Sequence, residues 1–209
     1  MKALQDIYQC VVDGEMDEVE GLIDEALSAG CTAKEILDDG LLAGMAEVGE
    51  QFKVGDMFVP EVLVAAKTMD IGMTKIKPLL QSGDIKEVGT ILFATVKGDL
   101  HDIGKKLVCM MLEGAGYKII DLGVDVSPEA ICEGVKEYKP DLVGLSAMLT
   151  TTTLSMKETA DTLKQAGLYD SVKIMVGGAP VNQKIADEFG GHYSTNASTA
   201  VELANELMK

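Results

Sequence analysis

A short stretch of the chain places a carboxylate and an imidazole two residues apart. Asp99 and His101 follow the β-favouring apolar run 90–96 and precede a helical run that starts at Asp102. A carboxylate that accepts a hydrogen bond from one imidazole nitrogen leaves the other nitrogen available to a metal ion. The spacing therefore predicts that His101 is a metal ligand oriented by Asp99. The triplet alone is a weak signal, because a histidine at a helix start also serves as a partner for backbone groups.

The elements that must position these residues are alternating strands and helices. Strict alternation is typical of a parallel sheet with helices on both faces and right-handed crossovers. We therefore predict a five-stranded, parallel, flavodoxin-like (Rossmann-like) α/β domain over residues 88–209. The expected strands are 90–96, 117–122, 142–146, 172–176 and a weaker one at 192–194, and the expected helices are 102–114, 128–138, 153–166, 181–189 and 198–207.

The N-terminal part of the chain has only helical signals. Four amphipathic runs with short connections predict an antiparallel four-helix bundle over residues 1–84. Thr32, with Glu35 three residues later, predicts a capping box at the start of the third helix. The polar, glycine-containing segment 80–86 predicts a hinge, with the domain boundary near Asp84.

The connection between the third and fourth predicted helices is unusually apolar. Phe52, Met57 and Phe58 flank a Gly-Asp turn where a plain connection is expected to be polar. Two interpretations stay open for this segment. The three side chains close the core of the bundle itself, or they form an apolar lid over something bound by the other domain.

The composition excludes several classes of function. The 209 residues carry a formal net charge of −16, which disfavours nucleic acid and anionic membrane surfaces as partners, because both attract clustered Lys and Arg. No apolar run is long enough to span a bilayer. The N-terminal residues carry charge too early for a secretory signal, so we expect a cytoplasmic protein.

The cysteines do not form a recognisable site. They are scattered without a close pair, and this spacing excludes a zinc ribbon and a Cys-x-x-Cys redox site. We expect small, buried and reduced thiols at all four positions. These are Cys10, Cys31, Cys109 and Cys132.

Further polar and glycine residues follow the other predicted strands. Ser146 and the hydroxyl run Thr150–Thr153 follow the third strand, and Gly177–Gly178 follows the fourth. Each has an ordinary explanation, since threonines cap helices and paired glycines make tight turns. The carboxyl ends of parallel strands, however, open into one crevice. Their joint placement with His101 predicts a binding site.

The type of ligand is narrowed by comparing these residues with the sequence patterns of known binding sites. The segment 98–104 lacks the Lys-Ser/Thr ending of a P-loop and the full glycine spacing of a dinucleotide fingerprint. A structural zinc needs three further ligands, and His192 is the only other histidine. A metal that takes one imidazole and brings its other ligands fits better, as in a macrocycle such as a corrin or haem.

These residues resemble the pattern of the cobalamin-binding corrinoid proteins of methyltransferase systems and of the cobalamin module of methionine synthase. The helical domain also resembles the cap of that family, so the resemblance covers essentially the whole chain. Met148 stands where the family pattern has leucine, which is a volume-conserving change. The pattern Asp-x-His-x-x-Gly, Ser-x-Leu, Gly-Gly is matched by Asp99, His101 and Gly104, then Ser146, then Gly177 and Gly178.

The resemblance implies cobalamin as the cofactor and a role for each matched residue. His101 would replace the base of the nucleotide tail as the lower cobalt ligand, and the hydroxyl of Thr152 would extend the hydrogen-bond relay from Asp99. Thr152 stands where methionine synthase has serine, and its rotamer is more restricted. Phe52 and Val59 would cover the upper face, where the methyl group sits. The displaced tail would enter the sheet domain near Ser146, Gly177 and Gly178, with Met148 and Thr150 among the cofactor-binding residues.

The function that the resemblance implies is that of a corrinoid methyl carrier. The protein would accept a methyl group from a substrate-specific methyltransferase and offer it to a second methyltransferase, which passes it to a folate or a thiol. These two enzymes and a reductive activase are the implied partners. We expect no turnover from the chain alone. The methyl donor stays open among methanol, methylamines, betaines and aryl methyl ethers.

Three alternatives remain at this point. A cobalamin sensor would need an effector domain, for which the sequence gives no signal. The small subunit of a cobalamin-dependent mutase usually lacks an N-terminal bundle, and a lid over the methyl group would obstruct radical chemistry. In the third alternative, the protein is flavodoxin-like and binds no corrin.

Overall fold

The computed structural model describes residues 2–80 and 88–209. These residues form two compact units, one made mostly of the residues up to 80 and the other mostly of the residues from 88 onward. The predicted boundary near Asp84 and all of the predicted hinge except Leu80 lie outside the described residues. Within the described ranges, no helix combines the length and apolar character needed to cross a bilayer.

The N-terminal unit contains the four predicted helical runs, of which the third is composite. Thr32 caps this run: its Oγ1 accepts from the Glu35 N–H at 3.2 Å, while Glu35 Oε2 accepts from the Thr32 N–H at 2.8 Å. The predicted capping box is therefore confirmed. The helices are α1 (Lys2–Asp13), α2 (Val19–Ser28), α3 (Ala33–Glu35), a π-helical segment (Ile36–Leu42), α4 (Ala43–Val54), α5 (Val59–Ile76) and a final 3₁₀ turn (Lys77–Leu79).

Glycines let α1 approach the composite helix closely. A Cβ atom at Gly40 would lie 2.9 Å from Cγ2 of Ile7, and one at Gly44 would lie 2.8 Å from the carbonyl oxygen of Tyr8. The branched apolar side chains that fill this unit are fully buried, which is the main source of its stability. They include Ile7, Ile23, Ile36, Leu41 and Ile76.

The three apolar side chains at the connection between α4 and α5 do not all fit the same interpretation. Met57 is buried and belongs to the core of the unit, as the first interpretation expects. Phe58 is 67% exposed, and Phe52 is only partly buried. The core of the unit therefore accounts for one of the three side chains and leaves a large aromatic ring at the surface.

The C-terminal unit is a parallel five-stranded sheet with the strand order β2-β1-β3-β4-β5, the flavodoxin-like order that the sequence predicts. The central strands are runs of buried aliphatic side chains, as strands covered on both faces must be. The strands are β1 (Thr90–Thr95), β2 (Lys118–Asp121), β3 (Leu142–Ser146), β4 (Lys173–Gly177) and the edge strand β5 (His192–Tyr193), and the helices are α6 (Ile103–Gly114), α7 (Pro128–Tyr138), α8 (Leu154–Gln165), α9 (Gln183–Asp187) and α10 (Ala197–Leu207).

The register of the sheet brings three strand ends to one level. Thr95 of β1 pairs with Ser146 of β3, which in turn pairs with Gly177 of β4. A buried core anchors these strands against α7 and α8, so their positions are set by rigid packing. The core includes Leu92, Val143, Ile174, Ile131, Met156 and Leu163. The loops that leave these strands therefore start side by side.

Candidate functional site

Asp99, in the loop between β1 and α6, is completely buried and surrounded by hydrogen-bond donors. Its Oδ1 accepts from Nδ1 of His101 at 2.7 Å and from the His101 backbone N–H at 3.0 Å. Its Oδ2 accepts from the backbone N–H of Met148 at 2.6 Å and from the Thr152 hydroxyl at 2.8 Å, with a longer contact of 3.3 Å to the Leu149 N–H. A buried carboxylate is tolerated only when donors of this kind surround it.

These donors keep Asp99 ionised. Burial by itself raises the pKa of the Asp99 carboxyl, but the hydrogen bonds from Met148, His101 and Thr152 outweigh burial and hold that pKa well below its usual range. An ionised carboxylate only accepts hydrogen bonds, so Nδ1 of His101 must carry the hydrogen. In the neutral imidazole, the lone pair then lies on Nε2.

His101 is fixed at three points and still reaches the surface. Besides its bonds to Asp99, its carbonyl oxygen accepts from the hydroxyl of Thr95 at 3.0 Å, and Thr95 is fully buried. The His101 side chain nevertheless remains 57% exposed. The structure thus presents a pre-oriented imidazole whose Nε2 can bind a metal from outside.

Large apolar side chains are exposed on the segments that carry this imidazole and its partners. They lie in the loop after β1 and the loop after β3, which Asp99 joins, and at the first residues of α6 and α8. Each is at least 42% exposed, and they are Leu100, Ile103, Met148, Leu149 and Leu154. Such a surface suits a broad, partly apolar ligand.

The glycines of the predicted site differ in what requires them. Gly178 has a φ of +124°, and a Cβ there would lie 1.9 Å from the carbonyl oxygen of Ala147, so the close approach of the two loops demands glycine. A Cβ added at Gly104 would have no atom within 4 Å, and one at Gly177 would make only ordinary contacts at 3.6 Å to Ser194. Gly104 and Gly177 therefore border space that a side chain would fill.

The structure brings most of the predicted site residues to one edge of the sheet. Asp99, His101, Met148 and Thr152 are joined by hydrogen bonds. Ser146 and Gly177 are register partners at the ends of β3 and β4. The remaining residues at this edge are Gly104, at the start of α6, and Gly178, against Ala147.

The hydroxyl run after β3 is divided in its roles. Thr152 bonds to Asp99, whereas Thr150 is exposed and its carbonyl oxygen accepts from the Thr153 hydroxyl at 2.9 Å. Thr153 occupies the N-cap position of α8 but makes no side-chain capping bond there. The capping explanation of this run is therefore wrong for Thr152 and Thr153. Phe52 and Val59 belong to the N-terminal unit, and their relation to His101 stays a prediction.

Sequence reasoning missed four polar residues around the site. In the sequence, Thr95 resembles part of an apolar strand, and Asp125 an ordinary loop residue. Lys105, in the first turn of α6, is only 3% exposed and forms an ion pair with Asp121 at the end of β2. Asp121 also accepts from the backbone N–H of Gly123 at 2.9 Å. Thr95 and Asp121 each end a strand, which was the available signal, but Asp121 meets Lys105 across 16 residues and Asp125 meets Gly98 across 27.

The donor set limits the kind of metal group that fits. Across residues 2–80 and 88–209, no three His, Cys, Asp or Glu side chains cluster to hold a metal ion. The four cysteines are buried and free, as the sequence predicts. A metal at His101 would have one protein ligand, so its other ligands must arrive with it. A locked imidazole on an apolar surface beside open glycines fits a metal-bearing macrocycle.

Two profiles of the B12 binding domain match this chain. One covers residues 89–203 and contains the whole edge described above. The other is a second type of B12 binding domain and covers residues 3–77 of the helical unit.

Individual relatives match over nearly the full length. The chain is 42% identical to trimethylamine corrinoid protein 1 of Methanosarcina acetivorans, covering 95% of this chain and 93% of the relative. It is 40% identical to the dimethylamine corrinoid protein of Methanosarcina barkeri, covering 98% and 97%. Among solved structures, the methanol:cobalamin methyltransferase complex of Methanosarcina barkeri contains a chain that matches with a TM-score of 0.92 and 31% identity, covering 99% of this chain and 80% of that one.

Proposed function

Because the chain belongs to the corrinoid proteins with B12 binding domains, whose cofactor is cobalamin, we propose that it carries a methyl group between two methyltransferases. The observation that carries the proposal is the hydrogen bond of 2.7 Å between the exposed ring of His101 and the buried carboxylate of Asp99. Cobalamin supplies, when bound, a cobalt atom that can take up and release a methyl group. All the roles below belong to residues of this chain.

His101 is the proposed lower ligand of the cobalt, in place of the cofactor's own base. Asp99 supports this role in two ways. Its carboxylate keeps the hydrogen on Nδ1, which leaves Nε2 as the free donor atom, and its negative charge makes the imidazole a stronger donor. The hydroxyl of Thr152 donates to the other oxygen of Asp99 and so adjusts how strongly Asp99 attracts the Nδ1 proton.

The nucleotide tail is proposed to enter between the ends of β3 and β4. Ser146 and Gly177 face each other in the register there, and Gly177 carries no side chain to close the space. Gly178 allows its loop to pass against Ala147, which shapes one wall of this entrance. Met148 and Thr150 are exposed in the adjacent loop and are proposed to contact the cofactor.

The helical unit is proposed to be the cap over the upper face of the cofactor. Phe52 and Val59 are the residues we assign to that contact, and Phe58, whose ring is exposed, directly precedes Val59 in the chain. Since a cap must open for a partner enzyme to reach the methyl group, we propose that the domain 1–84 moves relative to the domain 88–209 during methyl transfer.

The partners are proposed from the chemistry of a carrier and from the relatives. A methyltransferase specific for one methylated substrate would load the chain, and a second one would pass the methyl group to a folate or a thiol. Relatives at about two fifths identity are named for trimethylamine and dimethylamine, so methylamines are the first donors to test. A reductive activase would restore the cofactor after oxidation, and we propose that the system works in the cytoplasm.

The proposal is tested by reconstitution and transfer. The purified chain is loaded with hydroxocobalamin, its cobalt is reduced to Co(I) with titanium(III) citrate in the absence of oxygen, and it is mixed with a trimethylamine-specific or dimethylamine-specific methyltransferase and the matching amine. We expect loss of one methyl group from the amine only when loaded chain and enzyme are both present, and no reaction with the chain alone. The carrier role would be contradicted if the loaded chain supported no demethylation by any of the methylamine, methanol, betaine or aryl methyl ether enzymes, each tested with its own substrate.

A further inference from the structure

The loop after β2 lies along the loop that carries His101. The backbone N–H of Thr95 donates to the carbonyl oxygen of Gly123 at 3.0 Å, and the N–H of Val126 donates back to the carbonyl oxygen of Thr95 at 3.1 Å. Val96 and Val126 form an isolated parallel bridge beyond the end of the sheet. The two loops are thus joined after their strands have ended.

Of the residues in the loop after β2, Asp125 bonds to the part of the neighbouring loop that lies just before His101. Its side-chain Oδ1 accepts from the backbone N–H of Gly98 at 2.7 Å, and its own backbone N–H donates to the carbonyl oxygen of Asp99 at 2.9 Å. One residue of the second loop therefore holds both of the adjacent residues Gly98 and Asp99. Neither bond reaches the carboxylate of Asp99 or the ring of His101.

The backbone of Asp125 adopts an unfavourable conformation to make both contacts. Its φ is +54°, in the left-handed region, and among the described non-glycine residues only Lys139, with a φ of +48°, shares this feature. Left-handed φ carries an energetic penalty for residues with a side chain, although Asp tolerates it better than most. Such strain persists where surrounding contacts compensate for it, and here those contacts lie in the histidine loop.

Asp99 is consequently held from both neighbouring strands of the sheet. Because β1 lies between β2 and β3, the β3 side supplies Met148 and Thr152 to the carboxylate, and the β2 side supplies Asp125 to the backbone. The first pair sets the charge and direction of the carboxylate. Asp125 sets where the main chain of Asp99, and with it the next turn to His101, can lie.

We propose that Asp125 is a positioning residue for the cobalt ligand, acting through the backbone of Gly98 and Asp99. This inference rests on the proposed role of His101. Removing the acceptor at residue 125 lets the loop shift, so His101 meets the cobalt less often although Asp99, Thr152 and the ring are unchanged.

The test uses a substitution that separates the acceptor from the backbone strain. Asp125→Gly keeps the left-handed conformation without penalty and removes the Oδ1 acceptor. Asp125→Asn keeps a side-chain oxygen for the Gly98 N–H and tolerates the same φ. Lys139→Gly is the matched control, because it places glycine at the other left-handed residue, at the end of α7.

The first measurement needs no cofactor. Hydrogen exchange in the cofactor-free chain is expected to be about tenfold faster at the Gly98 amide in Asp125→Gly than in the wild type, because that amide has lost its side-chain acceptor. Asp125→Asn and Lys139→Gly are expected to exchange like the wild type. Equal exchange in all four proteins would overturn the inference.

The second measurement is the visible spectrum after loading with hydroxocobalamin. Asp125→Gly is expected to bind the cofactor about tenfold more weakly and to shift from a histidine-ligated towards a water-ligated spectrum. Asp125→Asn should recover the wild-type spectrum. A wild-type spectrum in Asp125→Gly, or the same shift in Lys139→Gly, would overturn the positioning role. If the wild type itself has no histidine-ligated spectrum, the proposed function fails, and the exchange experiment still decides whether Asp125 holds the loop.

Discussion

A hydrogen bond of 2.7 Å links the imidazole of His101 to the carboxylate of Asp99. The imidazole side chain is 57% exposed, whereas the carboxylate side chain is 0% exposed. Through this bond, the negative charge of the buried Asp99 carboxylate acts on the exposed imidazole ring. The exposed ring keeps one tautomer because Asp99 stays ionised, and Asp99 stays ionised because Met148 and Thr152 also donate to it. Removal of any one partner should therefore change the other partners measurably.

Replacing the charged acceptor itself should have two effects. In Asp99→Asn, the amide NH₂ must face either His101 or the donors Met148 and Thr152, so one donor is left opposite another in both orientations. We expect a loss of about 1–3 kcal/mol in the free energy of unfolding of the cofactor-free chain and a weakened histidine-ligated spectrum after loading. Urea unfolding and the visible spectrum measure the two effects.

Asp102→Asn is the control for Asp99→Asn. Asp102 lies three residues further along and pairs at the surface with Lys106 at 2.6 Å, where such a pair contributes little. A similar loss of stability in both variants would mean that the burial of Asp99 has no special role.

The Thr152 hydroxyl can be removed without a large change in shape. In Thr152→Val, Asp99 loses a donor, so its pKa should rise and the chain should unfold about 1–2 kcal/mol more easily. Thr152→Ser keeps the hydroxyl and should retain the pKa of Asp99, at the expense of one buried methyl group. Carbonyl-region NMR of ¹³C-labelled Asp during an acid titration measures the shift. Thr153→Val, which removes a hydroxyl bonded only to the Thr150 carbonyl in the described contacts, should leave the Asp99 signal unchanged.

The two kinds of glycine should respond differently to alanine. Gly178→Ala puts a Cβ 1.9 Å from the Ala147 carbonyl oxygen at a left-handed φ, so we expect a loss of more than about 2 kcal/mol in the free energy of unfolding. Gly104→Ala meets nothing within 4 Å and should leave the cofactor-free chain as stable as the wild type, while cobalamin binding weakens. Thermal unfolding and cobalamin titration distinguish these outcomes. Equal cobalamin affinity in Gly104→Ala would show that the space beside it is not used.

Acid should destabilise the cofactor-free chain through Asp99. The pKa of Asp99 is lower in the folded state than its value of about 3.9 in an unfolded chain, so its ionisation stabilises the fold above that pH. This contribution disappears as the pH falls below about 4 towards the folded-state pKa. Urea unfolding between pH 5.5 and 3 should therefore show a steeper loss of stability in the wild type than in Asp99→Asn. Parallel curves would contradict the depressed pKa.

The sheet and the position of the site were predictable because they depend on local patterns. The strands β1 and β3 are continuous apolar runs that are almost wholly buried, and their order in the chain determines which loops share an edge. The capping box at Thr32 is likewise a local arrangement. The bounds of the short edge elements were predicted less accurately: α9 is Gln183–Asp187, shorter than the predicted 181–189, because Asn182 caps the helix and the buried Val181 and Phe189 lie outside it.

The hydrogen bonds within the site could not be predicted from these patterns. Asp125 and Gly98 are 27 residues apart, and Lys105 and Asp121 are 16 apart, so their meeting depends on how the loops leave the folded sheet. The π-helical segment Ile36–Leu42 also has no local signal in the sequence, and the close packing of Gly40 within it against Ile7 is a tertiary contact. Sequence patterns predicted where the loops gather, and tertiary contacts determine which atoms bond.

The identity of the axial nitrogen decides whether His101 binds the cobalt. The chain is produced with ¹⁵N-labelled histidine, loaded with unlabelled cobalamin, reduced to the paramagnetic Co(II) state and measured by EPR. A histidine nitrogen on cobalt predicts that the triplet splitting from ¹⁴N becomes a doublet from ¹⁵N, that His192→Gln keeps this doublet, and that His101→Ala loses it. A triplet that persists in the labelled chain would show that the cofactor keeps its own base, and would contradict the role of His101.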